Sequence, residues 1–176
     1  CVLVDDGVDT AAIARALARK LDGCYLDQFG LAANATDWRS GNNIAGAILA
    51  QCRELDAGDP AWIVCGAGTG GTSATLGRHL RHVGSTARVC VAEPTGAAFA
   101  LGWRRRDRDA VASRPTCIEG IGRPRVEPCF DFAAADAVAE VEDAASIAGV
   151  QWLGQWTGRC FGGSSGTNVA AALELA

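Results

Sequence analysis

Apolar positions along the chain fall into two alternating periods. Trp62-Ile63-Val64-Cys65 and Arg88-Val89-Cys90-Val91-Ala92 are short, nearly continuous apolar runs of the kind that buried parallel strands carry. Ala137-Val138-Ala139-Glu140-Val141 alternates like a half-buried strand, and Cys1-Val2-Leu3-Val4 and Cys24-Tyr25-Leu26 read as two further strands. Between them lie runs of helical period. Asp9 is placed to cap a helix over 10–21, with Ile13, Leu17 and Leu21 on one face and Gly23 past its end. A second helix is predicted over about 43–55, closed by Gly58 and Pro60. A third runs over 73–83, with Leu76 and Leu80 on one face, and Asp143 is placed to cap a fourth that reaches about Leu153. A last helical run starts at Asn168. Strands alternating with helices predict an α/β protein with a parallel or mixed sheet. Residues 95–128 show no clear period; within them the basic run Arg104 to Asp109 reads as a solvated loop or helix face.

The chemistry concentrates in the turns. Gly66-Ala67-Gly68-Thr69-Gly70-Gly71-Thr72 joins a strand to a helix. Glycines there let a backbone approach an anion, and the free N–H groups and the helix dipole favour a phosphate. Gly66-x-Gly68-x-x-Gly71, with Glu93 ending the next strand, also satisfies the dinucleotide fingerprint, so a nucleotide remains open on this loop alone. Two more Gly-rich segments follow, Glu119-Gly120-Ile121-Gly122 and Gly162-Gly163-Ser164-Ser165-Gly166-Thr167.

Taken in order, these segments resemble the cysteine synthase and cystathionine β-synthase family of fold-type II enzymes that use pyridoxal 5′-phosphate (PLP). Gly68-Thr69-Gly70-Gly71-Thr72 is similar to that family's phosphate loop, and Glu119-Gly120-Ile121-Gly122 to its active-site segment. Gly163-Ser164-Ser165-Gly166 resembles the loop whose serine faces the pyridine nitrogen, and Asp27-Gln28-Phe29 with Asn34 resembles a fourth family segment. The stretch 35–45 departs from that of cysteine synthases and is similar to that of actinobacterial L-cysteine desulfhydrase-like proteins, as is Ile118 through Pro128.

The resemblance implies a tryptophan synthase β-like, three-layer α/β sheet, incomplete here. Residues 1–33 would be the remnant of a smaller domain and 34–176 most of a larger, cofactor-binding one. PLP phosphate would lie on Gly68, Thr69, Gly70, Gly71 and Thr72. Ser164 would meet the ring nitrogen, with Ser165 as the rival and a helix cap as the bland role for either. Gln28 would meet the substrate carboxylate, and Gly120 and Ile121 would line the substrate cleft. The implied reaction is β-elimination of L-cysteine to sulfide, pyruvate and ammonia; β-replacement on an O-activated serine is the alternative. A family member turned binding module is a third reading. The substrate is a small amino acid, and the full-length protein would be a homodimer.

Composition narrows this picture. Among 176 residues there is one lysine, Lys20, beside Arg15 and Arg19 at a helix end, away from any S-x-K context. A Schiff-base lysine is therefore expected outside this chain, leaving the chain alone inactive. The absence of methionine, the start at Cys1 within an apolar run and the end inside a helical pattern suggest that both ends are cut. A net charge of −4 argues against a nucleic-acid partner. No apolar run suits a membrane span. Eight cysteines occur without a C-x-x-C pair, which predicts reduced thiols in the cytoplasm and no metal site. His79 and His82, three apart, read as a solvated helix face.

Overall fold

The computed structural model describes residues 2–5 and 8–176. Three parallel strands, β1 (Trp62–Gly66), β2 (Arg88–Pro94) and β3 (Ala137–Val141), lie in the order β1-β2-β3. The period-2 pattern splits their side chains between two faces. Ile63, Val89 and Cys65 meet Ala45 and Leu49 of α3 (Ile44–Glu54) and Leu76 and Leu80 of α4 (Gly71–His82). Val91 and Val138 of the same face pack on Phe99 of α5 (Ala98–Arg105) and on Phe130, whose rings stack 4.3 Å apart. Val64, Ala92, Ala139 and Val141 point the other way, onto Ala170 and Ala171 of α7 (Gly163–Leu175). Outside α7 lies α6 (Asp143–Thr157), whose cap position is Glu142 and not Asp143, because the Asp143 carboxylate accepts from Thr116 Oγ1 and Cys117 N instead. The result is a three-layer α/β sheet, as expected.

Two predicted strands do not form. Val2, Leu3 and Val4 are exposed and unpaired, with Cys1 outside the described residues; Cys24–Leu26 is irregular as well. A strand needs a partner edge, and neither run meets one among the described residues. The helix between them, α1 (Thr10–Lys20), is capped by Asp9, whose carboxylate accepts from Ala12 N at 3.0 Å. It buries no residue despite its amphipathic pattern. A single turn, α2 (Gln28–Leu31), follows, capped by Asp27.

The unassigned stretch after β2 contains α5. Its start signal is remote: Ala97 offers no side-chain cap, and Glu93, on β2, accepts from Phe99 N and Ala100 N instead. Arg104 in its last turn pairs with Glu140 of β3, so the basic run is anchored as well as solvated. Helix α7 starts at Gly163, five residues before the expected start at Asn168. Glycine and serine lower helix propensity, but here they permit contact with α6. A Cβ on Gly166 would stand 1.9 Å from Ser146 O, and one on Gly149 would stand 2.7 Å from Gly166 O. The buried Thr167 hydroxyl lies 2.7 Å from Ser146 Oγ, which locks the two helices together. No helix among the described residues is long and apolar enough to cross a membrane.

His79 is not on a solvated face. It is 4% exposed, and Nδ1 lies 2.7 Å from Trp38 O and 3.3 Å from Asn43 Nδ2. Asn43 in turn caps α3 by accepting from Ala45 N and Gly46 N. The helical period alone placed His79 one step from the solvent stripe; the loop 35–43 folding over α4 buried it.

Candidate active site

The Gly-rich turn after β1 is an open cradle of amides. Gly70 takes φ +87°, the left-handed region that favours glycine, and ends the turn at the N-terminus of α4. Gly71 N donates to Thr69 Oγ1 at 3.1 Å, and Ser73 Oγ donates to Gly70 O at 3.0 Å. No carbonyl among the described residues accepts from Thr69 N, Gly70 N, Thr72 N or Ser73 N. Four amides with no protein acceptor at a helix N-terminus are an anion site in form. Gly71 differs from its neighbours, since its amide is already committed.

The glycines here are demanded from behind. A Cβ on Gly70 would lie 2.6 Å from Phe130 Cα, and one on Gly71 2.9 Å from Ala32 Cβ. A Cβ on Gly68 would lie 2.7 Å from Gly120 O. Packing on neighbouring segments removes the side chains, which leaves the amide side of the turn uncovered. In front of it is a pocket of about 360 Å³, lined by Gln28, Thr36, Ile44, Thr69, Thr72 and Thr75 among others. Gln28 is thus brought to the phosphate-type turn from 40 residues upstream by the single turn of α2.

The other two Gly-rich segments, around Gly120 and Gly163, converge on the same end of the sheet. A Cβ on Gly66, the last residue of β1, would stand 2.9 Å from Ile121 Cγ2 and 3.4 Å from Asn168 Oδ1. Gly163 faces Ile118 in the same way, at 3.3 Å. Gly120 is exposed with φ +85°. The segment 118–121 therefore lies between the turn after β1 and the first turns of α7. Its approach is set by Asp143, which accepts from Cys117 N and Thr116 Oγ1, each at 2.8 Å. The Cys117 amide is the main reason the Asp143 carboxyl sits below its usual range.

Ser164 and Ser165 are half-buried in the first turn of α7. Neither is the cap: that position is Gly162, with no side-chain bond to the helix. The cap role therefore falls away for both, and no hydrogen bond occupies either hydroxyl among the described residues. Asn168, one turn further on, was not singled out in the sequence. Its Oδ1 is buried without a partner. Thr36 and Ile44 were missed too; the only signal was that they belong to the stretch that departs from cysteine synthases.

Glu93 decides against the nucleotide alternative. It is 0% exposed, and both its oxygens are spent on the start of α5. Buried inside the protein, it faces no cleft and cannot reach a ribose. Burial pushes its carboxyl up to about 7, against the two amides that favour the charged form. Cys65 is likewise pushed up to about 12 by burial, so it serves as a small apolar side chain.

This fold, with its amide cradle and converging Gly-rich turns, is that of the pyridoxal-phosphate dependent enzymes. The chain belongs to that family, whose profile matches residues 1–176. It is 45% identical over 175 residues to L-cysteine desulfhydrase Cds1 of Mycobacterium tuberculosis, covering 99% of this chain and 48% of that protein. It is 32% identical to cysteine synthase 2 of Emericella nidulans, covering 88% of this chain and 37% of that one. Among solved structures, O-ureido-L-serine synthase superposes with a TM-score of 0.79 at 26% identity, covering 97% of this chain and 50% of that one. The chain thus spans about half the length or less of these relatives.

Proposed function

We propose that the full-length protein is a PLP-dependent lyase that eliminates sulfide from L-cysteine, leaving pyruvate and ammonia. The observation that carries this reading is the uncommitted amide cradle at Thr69, Gly70, Thr72 and Ser73, opening on a pocket that also holds Gln28. The likeness to an L-cysteine desulfhydrase supports the choice of substrate.

When bound, PLP supplies an electron sink for the pair left at the substrate Cα. Gly68, Thr69, Gly70 and Thr72 would hold its phosphate through backbone N–H groups and the threonine hydroxyls. Gly71 contributes differently: by donating to Thr69 Oγ1 it turns that hydroxyl's own proton outward. Ser164 Oγ would donate to the ring nitrogen. A neutral hydroxyl keeps its proton there, so the ring stays the weaker sink that suits prompt β-elimination. Gln28 would orient the substrate carboxylate, and the backbone of Gly120 and Ile121 would wall the cleft against water. Lys20 ends the exposed helix α1, and the lysine that carries PLP would come from the part of the relatives this chain does not span. On the same reading residues 1–33 close a smaller domain, 34–176 form the larger one, the full-length protein is a homodimer, and its compartment is the reducing cytoplasm.

The test is the full-length, PLP-loaded protein with L-cysteine as sole substrate. Sulfide and pyruvate in equal amounts support elimination. Cysteine formed from an O-activated serine and sulfide, with no pyruvate from cysteine, would favour β-replacement, the reading that the cysteine synthase likeness supports. Ser164→Ala should retain PLP and lower turnover, roughly tenfold or more for a lost site hydrogen bond. Ser165→Ala should change turnover less. Single-turnover absorbance of the bound cofactor separates the two, and a reversed ranking would move the ring contact by one residue.

A further inference from the structure

The Arg123 side chain is held in place from three directions. Its Nε and Nη2 each lie 2.9 Å from Glu127 Oε1. Its guanidinium carbon sits 4.6 Å from the centroid of the Phe29 ring, and its backbone carbonyl accepts from Ala98 N at 3.1 Å. Glu127 is 1% exposed, and its second oxygen has no hydrogen bond, only Arg125 Nε at 3.7 Å. A carboxylate this buried depends on its cations, and Arg123 makes the close, hydrogen-bonded pair, so the two are committed to one geometry. That geometry spans the molecule. Arg123 follows Gly120-Ile121-Gly122, and Phe29 follows Gln28. The other end of α2 is tied separately: Ala33 N donates to Cys129 Sγ at 3.3 Å and Arg78 Nη1 donates to Ala33 O at 3.3 Å. With the far end tied there, the Gln28 end of this single turn rests on the Phe29–Arg123 stack.

We propose that Arg123 is a positioning residue for the substrate site: clamped by buried Glu127, its flat face holds Phe29 and so sets Gln28 in the pocket in front of the Gly-rich turn after β1. This rests on the reading of Gln28 as the contact to the substrate carboxylate. The planar guanidinium is what the role requires. Lysine keeps the charge toward Glu127 but presents no face to the ring. The clamp therefore acts on substrate binding and leaves the cofactor's cradle untouched.

The experiment uses the full-length, PLP-loaded protein and the variants Arg123→Lys, Phe29→Leu, Phe29→Tyr and Gln28→Ala. Two readouts are taken: hydrogen exchange at the amides of Gly30, Leu31 and Ala32, and KM and kcat for L-cysteine. Those three amides close α2 by donating to Asp27 Oδ1, Asp27 O and Gln28 O, so they report whether the turn is held. Arg123→Lys and Phe29→Leu should each speed exchange and raise KM by roughly fivefold, the scale of a partly desolvated stack. kcat and PLP content should stay native. The double variant should be no worse than either single one. Phe29→Tyr keeps the ring face and should behave as native, which separates the stack from loss of folding. Native exchange rates in both Arg123→Lys and Phe29→Leu would overturn the clamp. Faster exchange with native KM in those two, while Gln28→Ala raises KM, would overturn its role in substrate binding. Native KM in Gln28→Ala would instead overturn the reading of Gln28, with the exchange rates still deciding the clamp.

Discussion

Gly166→Ala should destabilise the protein by several kcal/mol, on the order of 3–4, because the new methyl meets backbone that has no room to yield. The Cβ would stand 1.9 Å from Ser146 O and 2.8 Å from Val150 N, both in α6. Helix α7 is held on its other side by the sheet through Ala170 and Ala171, so it cannot simply back away. For a chain of 176 residues this corresponds to a fall in Tm of roughly 10 °C, measurable by calorimetry or circular dichroism. The same shift would move the first turn of α7, which carries Ser164, so PLP affinity should fall along with stability. Gly162→Ala is the control: a Cβ there meets nothing within 4 Å. A native Tm for Gly166→Ala would mean that α6 and α7 do not pack backbone to backbone.

Glu93→Gln should reverse its effect with pH. Burial raises the Glu93 carboxyl from 4.5 to about 7 in the folded protein. Between those values the folded state holds a proton that the unfolded chain has released, so the contribution of Glu93 to stability is full below pH 4.5 and is lost as pH rises through 7. The loss amounts to ~3 kcal/mol, from 1.36 kcal/mol per pKa unit. Glutamine has no such titration, but its NH₂ cannot accept from the second of the two amides, Phe99 N and Ala100 N. The variant should therefore be the less stable protein at low pH and should gain on the wild type as pH rises from 4.5 to 7, with no further gain above that. Urea unfolding of both proteins across that range measures the difference. A difference that stays flat would mean that Glu93 titrates at its ordinary value.

The sheet strands that pair were readable because their signal is local. A run such as Val89-Cys90-Val91 is apolar on both sides, and that is a property of the segment itself. The same holds for Asp9 at the start of α1, where cap and helix are adjacent in sequence. The three Gly-rich segments were legible for a related reason: amide cradles and tight turns demand glycine at fixed spacing, whatever surrounds them. Val2-Leu3-Val4 and Cys24-Tyr25-Leu26 show the limit of that logic. Their patterns suit strands, but a strand is completed by a neighbour, and no pattern within the segment says whether one is there.

The rest was decided by contacts between distant segments. Helix α5 starts where it does because Glu93, several residues upstream on β2, supplies the cap that Ala97 lacks. The start of α7 at Gly163 depends on α6, since Gly166 and Thr167 only make sense as helix residues once Ser146 and Gly149 lie against them. His79 became a buried hub through Trp38, and Arg123 a clamp through Phe29. What the sequence determined by itself was the set of residue types able to bind a phosphate and the order in which they occur. Which amides stayed free, which glycines were required by a neighbour's backbone, and which charged groups were buried were settled only by packing. These depend on atoms tens of residues apart coming within 3 to 4 Å, a distance on which local periodicity carries no information.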